Sequence, residues 1–374
     1  MIKVKLGDVA IEYKQAYQGN RENVPNVGLE HLISGEVKLS CWDTDNDNTF
    51  TKRFNQGQVL LGRRRAYLKK AVVAPFDGIC SGDITVIEAI PNKILPELLP
   101  FIIQNNKFFD YAVKGSAGSL SPRVKWEYLK EYEFDLPPIE EQERLAELLW
   151  AAYDLKESYK KLIAATDEMV KLQFIEITKD SSQHNKVQLK DLIKESFSGE
   201  WGDEDKNNYG VKVIRTTNFT NSGILDLSNL ITRHIDLKKI EKKKLQKEDI
   251  LLERSGGTKD NPVGRVVFFD VEGLYLCNNF TQVLRCNQNV RSRYVFFALY
   301  INYQLNKDKI RSMGNQTTGI QNLKMDQYMN IGIAIPSIEI QTRFVETLKL
   351  ADKSKQELQQ SIEHIDKVMK SLLP

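Results

Sequence analysis

The sequence predicts an α+β chain in which one unit is written twice, a mixed α/β module followed by a long helix, giving two pseudo-symmetric modules and a pair of rods. Three observations predict it. An internal repeat runs through the chain. Two long stretches contain neither Gly nor Pro, and short β-rich segments punctuated by Gly and Asp fill the remainder.

The repeat is clearest at an offset of 199 positions. Pro137-Pro138-Ile139-Glu140-Glu141-Gln142-Glu143-Arg144 falls on Pro336-Ser337-Ile338-Glu339-Ile340-Gln341-Thr342-Arg343, and twelve of thirty-eight positions are identical through Phe174 and Leu373. Ordinary residue usage would give roughly two by chance. Earlier matches keep their order with shifted offsets. Val4–Asp8 resembles Val187–Asp191, and Val59–Arg63 resembles Ile250–Arg254.

The elements follow in order. The first module, 1–138, offers strands at Gln58–Leu61, Ala71–Ala74 and Asp83–Ile87 and a helix near Pro96–Val113. A first rod is expected at 139–178, led by prolines and rich in early acids, which suit the positive end of a helix. Residues 179–186 are polar and make an expected linker. The second module, 187–337, offers strands at Asp249–Leu252, Gly264–Phe269 and Thr281–Leu284 and a helix near Arg291–Met313. A second rod closes the chain at 338–374. Each Gly/Pro-free run would make a helix of roughly 54–60 Å at ~1.5 Å per residue.

Both rods carry heptads. In the first, Leu145, Leu149, Ala152, Lys156, Tyr159, Ile163, Thr166 and Val170 step by three and four; in the second, Phe344, Leu348, Ala351, Lys355, Leu358, Ile362, Ile365 and Met369 match them. One apolar stripe per helix is what pairing with another helix requires. A lysine interrupts the stripe at the same place in both copies. It either fixes the register of the pair or snorkels at the stripe's edge.

Composition excludes several classes. Hydrophobic residues are 41% and charged residues 28% of 374, as in soluble globular proteins. No apolar run approaches the roughly 20 residues of a membrane helix, and the first residues lack the apolar stretch of an export signal, so a cytoplasmic location is expected. Cys41, Cys80, Cys277 and Cys286 form no CxxC pair and the four histidines lie far apart, so no metal site is expected and the thiols read as reduced and structural. The dipeptide Gly-Lys never occurs, which excludes a Walker A loop. Leu136-Pro137-Pro138-Ile139 lacks the flanks of an amino-methyltransferase motif, and Pro75-Phe76-Asp77 lacks the partner of a nuclease site. No catalytic residues are assigned.

What the modules contain instead is polar and basic material on expected loops, and a net charge of +3 makes local clusters the relevant signal. After the strand ending at Leu61 come Arg63, Arg64, Arg65 and Lys69; the equivalent loop holds Arg254, Ser255 and Lys259. Arginine can clamp a phosphate or read guanine bidentately, and a neighbouring glycine permits close backbone approach. Before each rod lies a second recurrent segment, with Ser119, Arg123 and Lys125 in one copy and Gln316, Thr317 and Lys324 in the other. These thirteen residues are the candidate DNA contacts; solvated loops and plain turns remain the bland alternatives.

Two variable modules, each followed by a Pro-led helix bearing P-x-I-E-x-Q-x-R, resemble the specificity subunit of type I restriction-modification enzymes. The resemblance covers essentially the whole chain. It implies two target recognition domains separated by a pair of long antiparallel coiled-coil helices, with Leu145, Leu149, Tyr159, Ile163, Phe344, Leu348, Leu358 and Ile362 in the helix-pair core. Each domain would read half of a bipartite site on double-stranded DNA. The implied partners are two methyltransferase subunits; whether a restriction (translocase) subunit joins them stays open. No cofactor is expected in this chain, S-adenosylmethionine and ATP with magnesium belonging to the partners. An unrecognised DNA-modifying enzyme and a helix-mediated structural adaptor are the rival readings.

Overall fold

A computed structural model describes residues 2–45, 47–181, 186–258, 260–317 and 320–373, with backbone alone at 180, 181, 316 and 317. The chain forms two compact units, Met1–Ile163 with Gln356–Pro374, and Ala164–Lys355.

In the first unit, an antiparallel sheet runs in the order Ala10–Glu12, Ile84–Ala89, Val59–Gly62, Ala71–Val73. Its strands are continuous apolar runs because both faces are buried. Val59, Leu61 and Ile87 face a core shared with Phe101, Phe108 and Phe109, while Leu60, Val72 and Val86 face a second core with Val27, Leu32, Phe54 and Cys80. The second core is closed by a small sheet in which Asn26–Val27 runs parallel to Gly78–Cys80. Ile2–Lys5 pairs with Glu133–Leu136, the strand leading into the first rod.

The second unit repeats this plan. Its sheet runs Ile193–Ser198, Thr281–Cys286, Asp249–Glu253, Val266–Phe269, again antiparallel. Ile250 and Leu252 face one core and Leu251 the other. Val211–Ile214 runs parallel to Tyr275–Cys277, and Lys186–Gln188 pairs with Gly332–Ala334 ahead of the second rod. Cys80 and Cys277 therefore occupy one position of the repeat, and burial pushes both thiols up to about 12. That makes them inert packing residues.

Each expected module helix is broken in two. Asn105 leaves the helical conformation between Leu99–Gln104 and Asn106–Lys114, its side chain accepting from Lys107 N. Asn306 also leaves it between Ser292–Leu305 and Lys307–Ser312, but its amide donates to the Asn302 side chain (2.9 Å) and not to the backbone. At Asn105 the amide satisfies the backbone locally, which favours the break.

The first rod is one helix, Ile139–Ser181, running past 178 into the expected linker, whose residues 182–185 lie outside the described residues; the second rod is Ile338–Leu372. The motif glutamine explains how each begins. Gln142 is buried; its Oε1 accepts from Leu95 N (2.9 Å) and its Nε2 donates to Pro137 O (2.9 Å). Gln341, also buried, accepts from Arg291 N (2.9 Å) and donates to Pro336 O (2.8 Å).

Within each unit, segments of the two rods lie antiparallel. In the first unit, Ala146, Leu149 and Tyr153 enter the core, Leu145 and Trp150 pack against it with Met369, Leu372 and Leu373, and Ile362 is buried. In the second, the Phe174 ring packs tilted or edge-on with its centroid 5.2–5.4 Å from those of Tyr294, Phe297 and Phe344, alongside buried Leu348 and Ala351. Tyr159, Ile163 and Leu358 are half-buried. The two stripe lysines are ion-paired: Lys156 Nζ lies 2.6 Å from Asp366 in the first unit, and Lys355 Nζ 2.6 Å from Asp167 in the second. Lys156 and Lys355 are repeat equivalents, and so are Asp167 and Asp366.

Candidate nucleic-acid interface

In the first module, the loop after Val59–Gly62 and the segment before the rod are laced together by backbone bonds. Arg63 N donates to Asp83 O (2.9 Å), Val124 N to Arg63 O (2.9 Å) and Arg65 N to Pro122 O (2.8 Å), while Arg64 and Arg123 form a β-bridge. In the second module, Arg254 N donates to Phe280 O (2.8 Å) and Leu323 N to Arg254 O (2.8 Å). The alignment of Arg63 with Arg254 is thus reproduced bond for bond, and two segments distant in sequence converge in each module.

The side chains divide by what they meet. Arg123 Nε donates to Asp83 Oδ1 at 2.7 Å, and Arg64 donates to Ser121 Oγ at 2.9 and 3.1 Å with a longer 3.5 Å contact to Asp83. The hydrogen bond from Arg123, then the charges of Arg123 and Arg64, hold the Asp83 carboxyl below its ordinary range. One acid therefore neutralises part of two arginines. Arg63, Arg65 and Lys125 form no ion pair among the described residues, and Arg63 Nε is buried without a hydrogen-bond partner there. Lys69 Nζ lies 2.7 Å from Asn106 Oδ1, and Ser119 is exposed on its loop. Arg65 and Lys69 both take left-handed backbone, φ 56 and 51, flanking the short turn Ala66–Leu68. Such non-glycine outliers carry strain and concentrate at functional sites.

The second module is built differently. The segment read from sequence as a loop is a hairpin, Gly314–Thr317 with Ile320–Leu323, and Ser255–Gly256 adds a third strand. The run Asn315-Gln316-Thr317 contains no Gly or Pro to break it, and pairing holds it extended. Ser255 Oγ bonds Asn322 Oδ1 at 2.6 Å, and Gly256 and Gly257 take φ 121 and 68, a turn that side chains resist. Lys259 lies outside the described residues, as do the side chains of Gln316 and Thr317. Lys324 heads the helix Met325–Met329. Arg254 forms no ion pair among the described residues. Beneath it, buried Glu253 takes a bidentate bond from Arg265 (2.7 and 2.9 Å), which stiffens the platform.

Three features had no sequence signal. Asp83 is one; Phe280 stands where it would in the second module, so the two loops differ in charge. The role of the motif glutamines is another: the repeat marks Gln142 and Gln341, but not their burial or their bonds. The third is an open cleft of about 530 Å³ lined by Tyr209, Lys212, Arg233, His234 and Tyr275 among others, with Arg233 stacked on Trp201 at 4.0 Å. Beside it Asp205 pairs with His234 Nε2 at 3.1 Å, and the Thr232 hydroxyl, with the amides of Gly210, Tyr209 and Asn207, holds its carboxyl down at about 2. Strand pairing assembles this cleft from distant segments.

Each module can thus present one backbone-anchored guanidinium amid hydroxyls and amides, a set suited to phosphate contacts and base edges. Among the described residues no helix is long and apolar enough to cross a membrane, and no group of three or more His, Cys, Asp or Glu could hold a metal ion.

Comparison with known proteins agrees with this duplicated plan. The family described as type I restriction modification DNA specificity domain matches residues 3–165 and again 182–364. The type I restriction enzyme EcoDI specificity subunit of Escherichia coli is 28% identical over 144 residues, a stretch spanning 38% of this chain and 31% of that relative. Among solved structures, the S subunit of a type I restriction-modification system from M. genitalium is 12% identical with a TM-score of 0.60, covering 100% of this chain and 96% of that one. A chain from a structure of the assembly and conformational transition of the type I R-M system is 14% identical with a TM-score of 0.54, covering 99% and 96%. These likenesses carry the fold, and the doubled family match carries the identity: the chain belongs to the type I restriction modification DNA specificity domain family, in two copies.

Proposed function

We propose that the chain is the non-catalytic DNA-reading subunit of a type I restriction-modification system. Each module reads one half of an asymmetric two-part site on double-stranded DNA, and the chain brings methyltransferase subunits, two by its duplicated plan, to that site, together with any restriction subunit that joins them. S-adenosylmethionine and ATP with magnesium would reside on those partners, and the work on DNA would put the chain in the cytoplasm. The observation that carries the reading is the pair of equivalent arginines, Arg63 and Arg254, fixed by the same backbone bond yet surrounded by unlike side chains. Equal anchoring with unequal chemistry is what two readers of different half-sites need. Quantitative binding to a selected duplex tests it. Arg63→Glu should weaken discrimination at one half-site by about tenfold or more and leave the other intact; equal loss at both would contradict the reading. Methyl transfer to DNA by the purified chain alone would favour the enzyme reading instead.

A further inference from the structure

We propose that Gln142 and Gln341 are positioning residues that help set the spacing between the two DNA half-sites, an inference that rests on the DNA-reading function above. Each glutamine sits in the first turn of a rod, buried to 2% and 1% exposure. Each donates to the carbonyl of the proline that precedes its rod, Pro137 or Pro336. Each accepts a backbone N–H from the start of its module's helical layer, Leu95 or Arg291. One side chain therefore clasps the module on one side and the rod's leading turn on the other, with the same two bonds in both copies.

Glutamine suits this post because a single amide supplies a donor and an acceptor about one side-chain length from the helix axis. Glutamate could not donate when ionised, and methionine fills the space with neither function. The joints carry copy-specific reinforcement. Trp150 Nε1 donates to Glu97 O (2.9 Å) and Lys38 pairs with Asp154 (2.6 Å) in the first; Arg291 Nε donates to Thr342 Oγ1 (2.9 Å) and Arg293 pairs with Asp352 (2.6 Å) in the second. The shared element is the glutamine, while the reinforcement has diverged.

A reader fixed to its rod presents its loops at a fixed height and rotation. One base pair of spacer adds roughly 3.4 Å and about 35° along the duplex. Slack of that order at a joint would let the neighbouring spacer length compete, without altering which bases each module prefers.

The test selects duplexes from a pool of random sequence with the full chain and with Gln142→Met and Gln341→Met, then compares the gap between the two selected arms. The wild-type chain should concentrate on one gap length. Each variant should spread several-fold into gaps one base pair longer or shorter, with base preferences in both arms preserved. Amide exchange at Leu95 should quicken in Gln142→Met while exchange in the sheet strands stays unchanged. Unaltered gap distributions in both variants would overturn the joint proposal and leave the reading function standing. Loss of base preference together with gap preference would show a folding role only, and would also overturn it. Failure of the wild-type chain to select any two-part sequence would sink the reading function and the joints with it.

Discussion

Arg63 and Arg254 occupy one position of the repeat, and their neighbours decide how each behaves. Around Arg63, Asp83 draws off Arg123 and, at longer range, Arg64, which stays bonded to Ser121, so Asp83→Asn should unmask positive charge, mainly on Arg123, and raise DNA affinity with little gain in discrimination, since added phosphate contacts are blind to sequence. Competition between specific and random duplex measures both terms. A second residue-scale prediction concerns Asp205. Its carboxyl is held at about 2 against an ordinary 3.8, so the ionised form stabilises the folded state at neutral pH. That contribution fades as the pH falls from about 4 through about 2. Thermal melts of Asp205→Asn should therefore differ most from wild type near neutrality and converge in acid; a gap that widens in acid would contradict the assignment. The candidate arginines were legible in sequence because they recur at one aligned position. Asp83 was not, because its partners lie 19 and 40 residues away and meet it only through the sheet.

At the scale of elements, the rods were the most legible part of the chain. Absence of Gly and Pro, early acids and a three-four apolar step are local signals, and the helices Ile139–Ser181 and Ile338–Leu372 follow them closely. The stripe lysines were half-legible. Periodicity placed Lys156 and Lys355 in the seam, but a charge partner on another helix has no local signature, and Asp366 and Asp167 emerge only once the helices pair antiparallel. Reversing one charge should destabilise and reversing both should restore. Lys156→Asp and Asp366→Lys singly should lower the melting temperature, and the double variant should recover a coupling of about 0.5–3 kcal/mol. Additive losses would mean the pair contributes nothing. The apolar seam is more conventional: Phe344→Ala, which empties the aromatic cluster around Phe174, should cost about 3–5 kcal/mol in denaturant unfolding. The hairpin Gly314–Thr317 with Ile320–Leu323 escaped sequence reasoning because its polar residues look like turn material, and its strand character comes from pairing with Ser255–Gly256.

For the whole molecule, duplication is the organising fact. The order of the main four-stranded sheet, the parallel strand pair of each outer sheet, the glutamine at each rod start, the cysteine position and the arginine anchor all recur. The parts that differ are the loop chemistry near the arginines and the extra strands of the second module. Function carried by phosphate contacts should show in salt: raising salt from about 50 to about 200 mM should cut affinity by roughly a thousandfold if six or more phosphates are engaged. A flat response would rule out a duplex DNA partner.

Whether one chain holds two unlike readers is decided by sequence selection with the full chain, run beside Arg63→Ala and Arg254→Ala. Two unlike readers should select a two-part asymmetric site in which Arg63→Ala blurs one part and Arg254→Ala blurs the other. A single contiguous motif, a palindrome, or blurring of both parts by either substitution would contradict it.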